Sequence, residues 1–97
     1  MKHALMLAEK AAQMNEVPVG AVIMDSSGQI IAESYNQKES QKSALAHAEI
    51  LVIEQACQKL GSWRLHGCTL YVTLEPCPMC SGAIWASQLD RVVFGAF

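Results

Sequence analysis

The sequence predicts an α/β protein: one mixed sheet with an N-terminal antiparallel hairpin followed by parallel strands, covered by helices on both faces as a three-layer α/β/α sandwich. Three observations predict it. Helix-periodic segments and short apolar runs follow one another in the order α-β-β-α-β-α-β, and a polar turn, Asp25-Ser26-Ser27-Gly28, is all that separates the first two runs. The later runs are each preceded by a helical pattern, which calls for parallel strands joined by right-handed crossovers. Finally, 97 residues with 52% hydrophobic and 16% charged content suit a single compact domain, residues 1–97, with a modest core.

Ala4, Leu5, Ala8, Ala11 and Ala12 recur at helical spacing and predict a first helix ending near Asn15. Val17 to Met24 is nearly continuous in apolar residues, as expected of a strand buried on both faces. Gln29 to Tyr35 runs back beside it. The polar stretch Asn36 to Ala46 reads as a loop. A second helix is expected from about Ala46 to Gly61, where glycine provides the stop. Cys68 to Leu74 is a strongly β-forming run broken by Pro76. Pro78 then suits the first turn of a third helix reaching about Ser87, and Arg91 to Gly95 supplies the last strand. A parallel sheet ending there would expose its final edge, which folded domains normally pair or cover.

Composition removes several function classes. No stretch is long and apolar enough to cross a membrane, and Met1-Lys2 leads into an amphipathic segment rather than a signal peptide, so the cytoplasm is expected. A net charge of −2, with Lys2, Lys10, Lys38, Lys42, Lys59, Arg64 and Arg91 scattered, gives no broad basic stripe, so for a polynucleotide substrate much of the docking charge must lie elsewhere. Cys57 and Cys68 lie inside apolar patterns and read as buried thiols. Cys77 and Cys80 are better employed on a metal than in a disulfide.

The chemistry lies in His47-Ala48-Glu49 and Pro76-Cys77-Pro78-Met79-Cys80. One imidazole and two thiols suit Zn²⁺, and three protein ligands leave a position open for water. Glu49 is then the proton carrier beside that water, serving a hydrolytic attack on an amidine-like carbon. Cys77 and Cys80, three apart at a helix start, place both sulfurs on one face, where the helix N-terminus is expected to favour thiolates. His47 and Glu49 stand about 200° apart on an ideal helix, so they can converge only at a helix terminus. A lone Cys-x-x-Cys also serves structural zinc sites and redox pairs. The first needs a fourth ligand, however, and the second has no use for His47 and Glu49. His3 and His66 read as surface or packing residues, and Trp63, Trp85 and Tyr71 as core or interface packing rather than base-stacking platforms. The order H-x-E…P-C-x-x-C is the recognised signature of zinc deaminases that act on nucleobases.

Together with Glu16-Val17-Pro18-Val19-Gly20-Ala21-Val22, Asn36, Leu70-Tyr71-Val72-Thr73-Leu74-Glu75 and Arg91-Val92-Val93-Phe94-Gly95-Ala96, these motifs make the whole chain resemble the cytidine/deoxycytidylate deaminase superfamily. Within it, the bacterial tRNA-specific adenosine deaminases look most similar. The resemblance implies a cytidine-deaminase-like fold and one zinc per subunit on His47, Cys77 and Cys80, with Glu49 catalytic. It further implies substrate contacts at Asn36, Val17, Pro18 and Ala48. The expected reaction is hydrolysis of adenosine to inosine at the wobble position of a tRNA anticodon arm, by a homodimer with the third helix near the subunit interface. Free guanine, cytosine or nucleosides are alternative substrates that the motif does not separate, and a zinc-binding fragment without turnover is a third reading. Ser43-Ala44-Leu45 and Gln88-Leu89 depart from the family pattern without touching the metal residues. Relatives continue past the Phe-Gly-Ala strand, so the chain reads as an N-terminal portion, expected to be poorly soluble or only partly stable alone.

Overall fold

The computed structural model describes residues 1–74 and 76–95; Glu75 and Ala96 of the motifs above, and Phe97, lie outside them. Eight elements follow in order: α1 (Lys2–Gln13), β1 (Gly20–Met24), β2 (Ile30–Tyr35), α2 (Lys38–Gln41), α3 (Ala48–Leu60), β3 (Thr69–Val72), α4 (Pro78–Ser87) and β4 (Arg91–Phe94). The sheet order is β2-β1-β3-β4. β1 is antiparallel to both its neighbours, while β3 and β4 are parallel. The expected hairpin therefore forms, and it joins the parallel strands through its first strand. α3 carries the chain from β2 across β1 to β3.

Each helix covers a definable face. A Cβ on Gly20 would stand 2.0 Å from the Ala4 carbonyl oxygen and 2.6 Å from the Ala8 nitrogen, so α1 rests directly on the β1 backbone there. Ala4, Ala8 and Ala11 form its buried stripe. On the opposite face Ala21, Ile23, Leu70 and Val72 meet Ala48, Val52, Ile53 and Ala56 of α3, with Ala83 and Ile84 of α4 packed against them. These are the three expected layers. No helix among the described residues is long and apolar enough to cross a membrane.

Several boundaries moved for local reasons. α1 stops at Gln13 because Asn15 turns into the left-handed region (φ 59). The amides of Asn15 and Glu16 then donate to the carbonyls of Ala12 and Ala11, the paired bonds of a Schellman ending. β1 starts at Gly20 rather than Val17 because Val19 N–H turns back onto the Val17 carbonyl at 2.8 Å and Pro18 has no amide proton to give. The polar segment read as a loop contains the short helix α2. At its far end α3 closes on Gly61, left-handed at φ 65, as the sequence indicated.

Candidate metal centre

Two helix beginnings build the site. His47 is the N-cap residue of α3, with extended backbone (φ −72, ψ 148). Cys77 caps α4 in the same way (φ −70, ψ 169), with Pro78 in the first turn and its own sulfur accepting the Cys80 amide at 3.5 Å. Capping residues point off the helix end, so both chains aim at the space beyond the two termini. His47 Nδ1 lies 3.8 Å from Cys77 Sγ and 3.5 Å from Cys80 Sγ. A tetrahedral zinc with ordinary Zn–S and Zn–N bonds requires nitrogen–sulfur separations of about 3.6 Å, so the donor set fits that ion. This is the one such metal-capable group among the described residues.

Glu49 sits in the first turn of α3, 4% exposed, next to the buried Ala48. The helix terminus thus meets the geometric condition that the two-residue spacing set for His47 and Glu49. Burial first, and then the Glu49 carboxylate, push the Cys80 thiol well above the ordinary thiol range. That corrects the expectation of two preformed thiolates. Desolvation and a neighbouring anion outweigh the helix terminus at Cys80, so a metal has to displace its proton.

The remaining sequence candidates lie at the same end of the sheet. Because β1 is reversed, its first residue pairs with the last residue of β2, Gly20 with Tyr35, and its entry lies beside the exit of β3. Val17 and Pro18 are exposed at that end, and Asn36 is buried, its amide donating to the Val19 carbonyl at 3.0 Å. Thr73, which sequence reasoning passed over, joins the two strand ends. Its hydroxyl accepts the Gly20 amide at 3.2 Å, and its own amide donates to the Gly20 carbonyl at 3.1 Å. Glu16 carries no signal of a role in the sequence, yet it is buried and bonded to α2.

His3 pairs with Glu33 and His66 with Gln88. Cys68 is buried in the apolar core as expected, whereas Cys57 is only half-buried against it; desolvation raises both thiols. Trp63 and Trp85 are 58% and 84% exposed, so neither is the core residue that the sequence allowed. They line an open groove of about 800 Å³ with His66, Ile84 and Leu89, and no metal-centre residue takes part in it.

Residues 1–96 match the family described as the cytidine and deoxycytidylate deaminase zinc-binding region. The chain is 56% identical over 97 residues to a tRNA-specific adenosine deaminase of Bacillus subtilis, covering all of this chain and 60% of that protein. A structure from work on A-to-I editing by tRNA:A34 deaminases superposes with a TM-score of 0.96 at 47% identity, covering 99% of this chain and 69% of that one. Guanine deaminase from Bacillus subtilis superposes at 0.94 with 41% identity, covering 98% and 60%. The chain thus spans about 60% of the length of the curated relative it matches.

Proposed function

The chain belongs to the cytidine and deoxycytidylate deaminase zinc-binding family, and from that premise we propose that it hydrolyses adenosine to inosine at the wobble position of a tRNA anticodon arm. The observation that carries the reading is the His47–Cys77–Cys80 cluster with Glu49 in the adjoining helical turn. Identity to tRNA-specific adenosine deaminases supports this substrate over others.

His47 Nδ1, Cys77 Sγ and Cys80 Sγ would hold one zinc ion per subunit. When bound, zinc supplies an open coordination position and Lewis acidity toward water. The Glu49 carboxylate accepts the proton that water gives up. It passes protons on to the ring nitrogen and then to the departing amine, so that water and adenosine become inosine and ammonia. Burial keeps this carboxylate dry enough for directed transfer. The base must leave its stack to reach the centre. Asn36 commits its side-chain oxygen to the Lys38 amide (3.1 Å), which leaves its NH₂ group as the donor for a substrate. Val17 and Pro18, both exposed, would form an apolar rim, while Ala48, fully buried, would act only from behind His47 and Glu49.

Two further parts belong to this reading. The exposed Trp85 and Trp63 groove is the surface through which α4 would meet a second subunit in a homodimer. Four free cysteines suit the reducing cytoplasm. The test is a zinc-loaded chain assayed for inosine in an anticodon stem-loop RNA, beside guanine, cytosine and free nucleosides. Turnover of the RNA alone supports the proposal. Preference for guanine favours the second reading, to which the guanine deaminase likeness lends weight. Zinc binding with no ammonia release on any substrate leaves only the metal-binding fragment.

A further inference from the structure

α2 has no apolar reason to exist. It is four residues long, and every residue from Lys38 to Lys42 is exposed. So short a helix does not persist on backbone bonds alone. What holds it is a set of side-chain acceptors on three consecutive first-turn amides, donors that a helix start leaves without partners. Asn36 Oδ1 takes the Lys38 amide at 3.1 Å. The Glu16 carboxylate takes the Glu39 amide at 3.0 Å, the Ser40 amide at 2.6 Å and the Ser40 hydroxyl at 2.6 Å. Glu16 is only 5% exposed, and the Ser40 bond leads the causes that hold its carboxyl below the ordinary glutamate range. It is therefore an ionised acceptor, whose bonds are the stronger kind.

The clamp joins two segments that carry candidate substrate contacts. Glu16 directly precedes Val17 and Pro18, while α2 directly follows Asn36 and Gln37. The Gln37 amide donates to the Ala46 carbonyl at 2.9 Å, one residue before His47. The 37–46 loop is thus pinned at its two ends by that bond and near its middle by Glu16. The Asn36 backbone is held independently by its bond to Val19, so what the carboxylate governs is the start of α2, whose Lys38 amide holds the Asn36 side-chain oxygen.

We propose that Glu16 is a positioning residue for this site: by capping α2 it holds the Lys38 amide that orients the Asn36 side chain, and so sets the geometry in which the base is received. The role rests on the deaminase reading above. It acts on substrate placement and leaves the metal ligands alone.

Glu16→Gln replaces one acceptor oxygen by a donor facing donors. In the zinc-loaded protein it should speed hydrogen exchange at the Glu39 and Ser40 amides and raise KM for the stem-loop RNA, each by about tenfold or more, with a smaller change in kcat. Zinc stoichiometry should stay at that of wild type. Glu16→Asp, which keeps the charge on a shorter arm, should recover part of the KM, and Ser40→Ala, which keeps both backbone bonds, should lie near wild type. If Glu16→Gln fails to fold, Glu16→Asp and Ser40→Ala carry the same comparison. Faster exchange with unchanged KM makes Glu16 a structural cap and overturns the proposal; so does loss of zinc. A wild-type chain that folds and binds zinc but does not process the RNA refutes the deaminase reading, and the positioning role falls with it. The exchange data then still report whether the clamp itself exists.

Discussion

Gly20→Ala and Gly82→Ala make the same chemical change and should move stability in opposite directions. At Gly20 the new methyl would stand 2.0 Å from the Ala4 oxygen, 2.6 Å from the Ala8 nitrogen and 2.8 Å from Leu7 Cβ. Ordinary contact needs about 3.5 Å, so helix and strand must separate by roughly 1.5 Å. Two of the three obstructing atoms are backbone, which no rotamer change removes. A gap of even about 1 Å forfeits up to half of each contact's attraction, and it would open along Ala4, Ala8 and Ala11. Overpacking of this kind costs about 3 kcal/mol, against about 0.4–1 kcal/mol returned by a stiffer unfolded chain. The net loss of about 2–3 kcal/mol should lower Tm by roughly 10–20 °C in a domain of this size.

Gly82 lies in α4 with nothing within 4 Å of the added carbon. There alanine should gain about 1 kcal/mol of helix propensity and raise Tm by roughly 4–8 °C. Thermal melts followed by circular dichroism, at equal zinc loading, measure both. Shifts of the same sign, or a Gly20→Ala melt within about 2 °C of wild type, would refute the close packing of α1 on β1.

The other expectations concern the site and its pH dependence. Glu49→Gln should keep zinc at wild-type stoichiometry by metal analysis while inosine formation falls by about 10²–10⁴, and near-full activity would remove Glu49 from the chemistry. Because burial and Glu49 raise the Cys80 thiol, zinc must displace its proton. Apparent zinc affinity, measured in competition with a chelator, should climb at least about tenfold per pH unit from pH 6.5 to 7.5; a flat profile would contradict a protonated Cys80. Glu16 and Asp25 have lowered carboxyl pKa values, chiefly through bonds from Ser40 and Ser27. Their stabilisation is full above the ordinary carboxylate range and lost as pH falls through the lowered folded values. Melting temperature should decline on acidification below about pH 4.5, and less steeply in Glu16→Gln.

What was legible in the chain was whatever one segment encodes by itself. The periodicity of Ala4, Ala8 and Ala11 gave α1, the Asp25–Gly28 turn gave the hairpin, and Gly61 gave the end of α3. The candidate metal ligands were legible because His47, Cys77 and Cys80, which the fold brings together, have few other uses at those spacings. The features missed join residues far apart in sequence. α2 is invisible in a polar stretch whose capping group, Glu16, lies more than twenty residues upstream. Thr73 looks like any strand threonine until Gly20 arrives beside it. The Cys80 thiol was misjudged because a helix N-terminus is a local feature, whereas the burial and the Glu49 charge that outweigh it come from folding.

The reversal of β1 is the topological fact on which the site depends. In an open α/β sheet the carboxyl ends of parallel strands form the binding edge. β2, β3 and β4 run the same way, so Asn36, the Cys77 turn and Gly95 all emerge at one edge. A parallel β1 would send its entry to the opposite edge, about 17 Å away for five residues. Glu16, Val17 and Pro18 would then be out of reach of the metal centre. Running antiparallel, β1 instead brings its first residues to that edge, and the two Gly20–Thr73 bonds fix them to the end of β3. The hairpin is therefore part of the binding edge as well as of the sheet. Three strands deliver their exits there and the fourth its entrance, which is why Val17 and Pro18, the Glu16 carboxylate and the Cys77 turn, from distant stretches, share one edge.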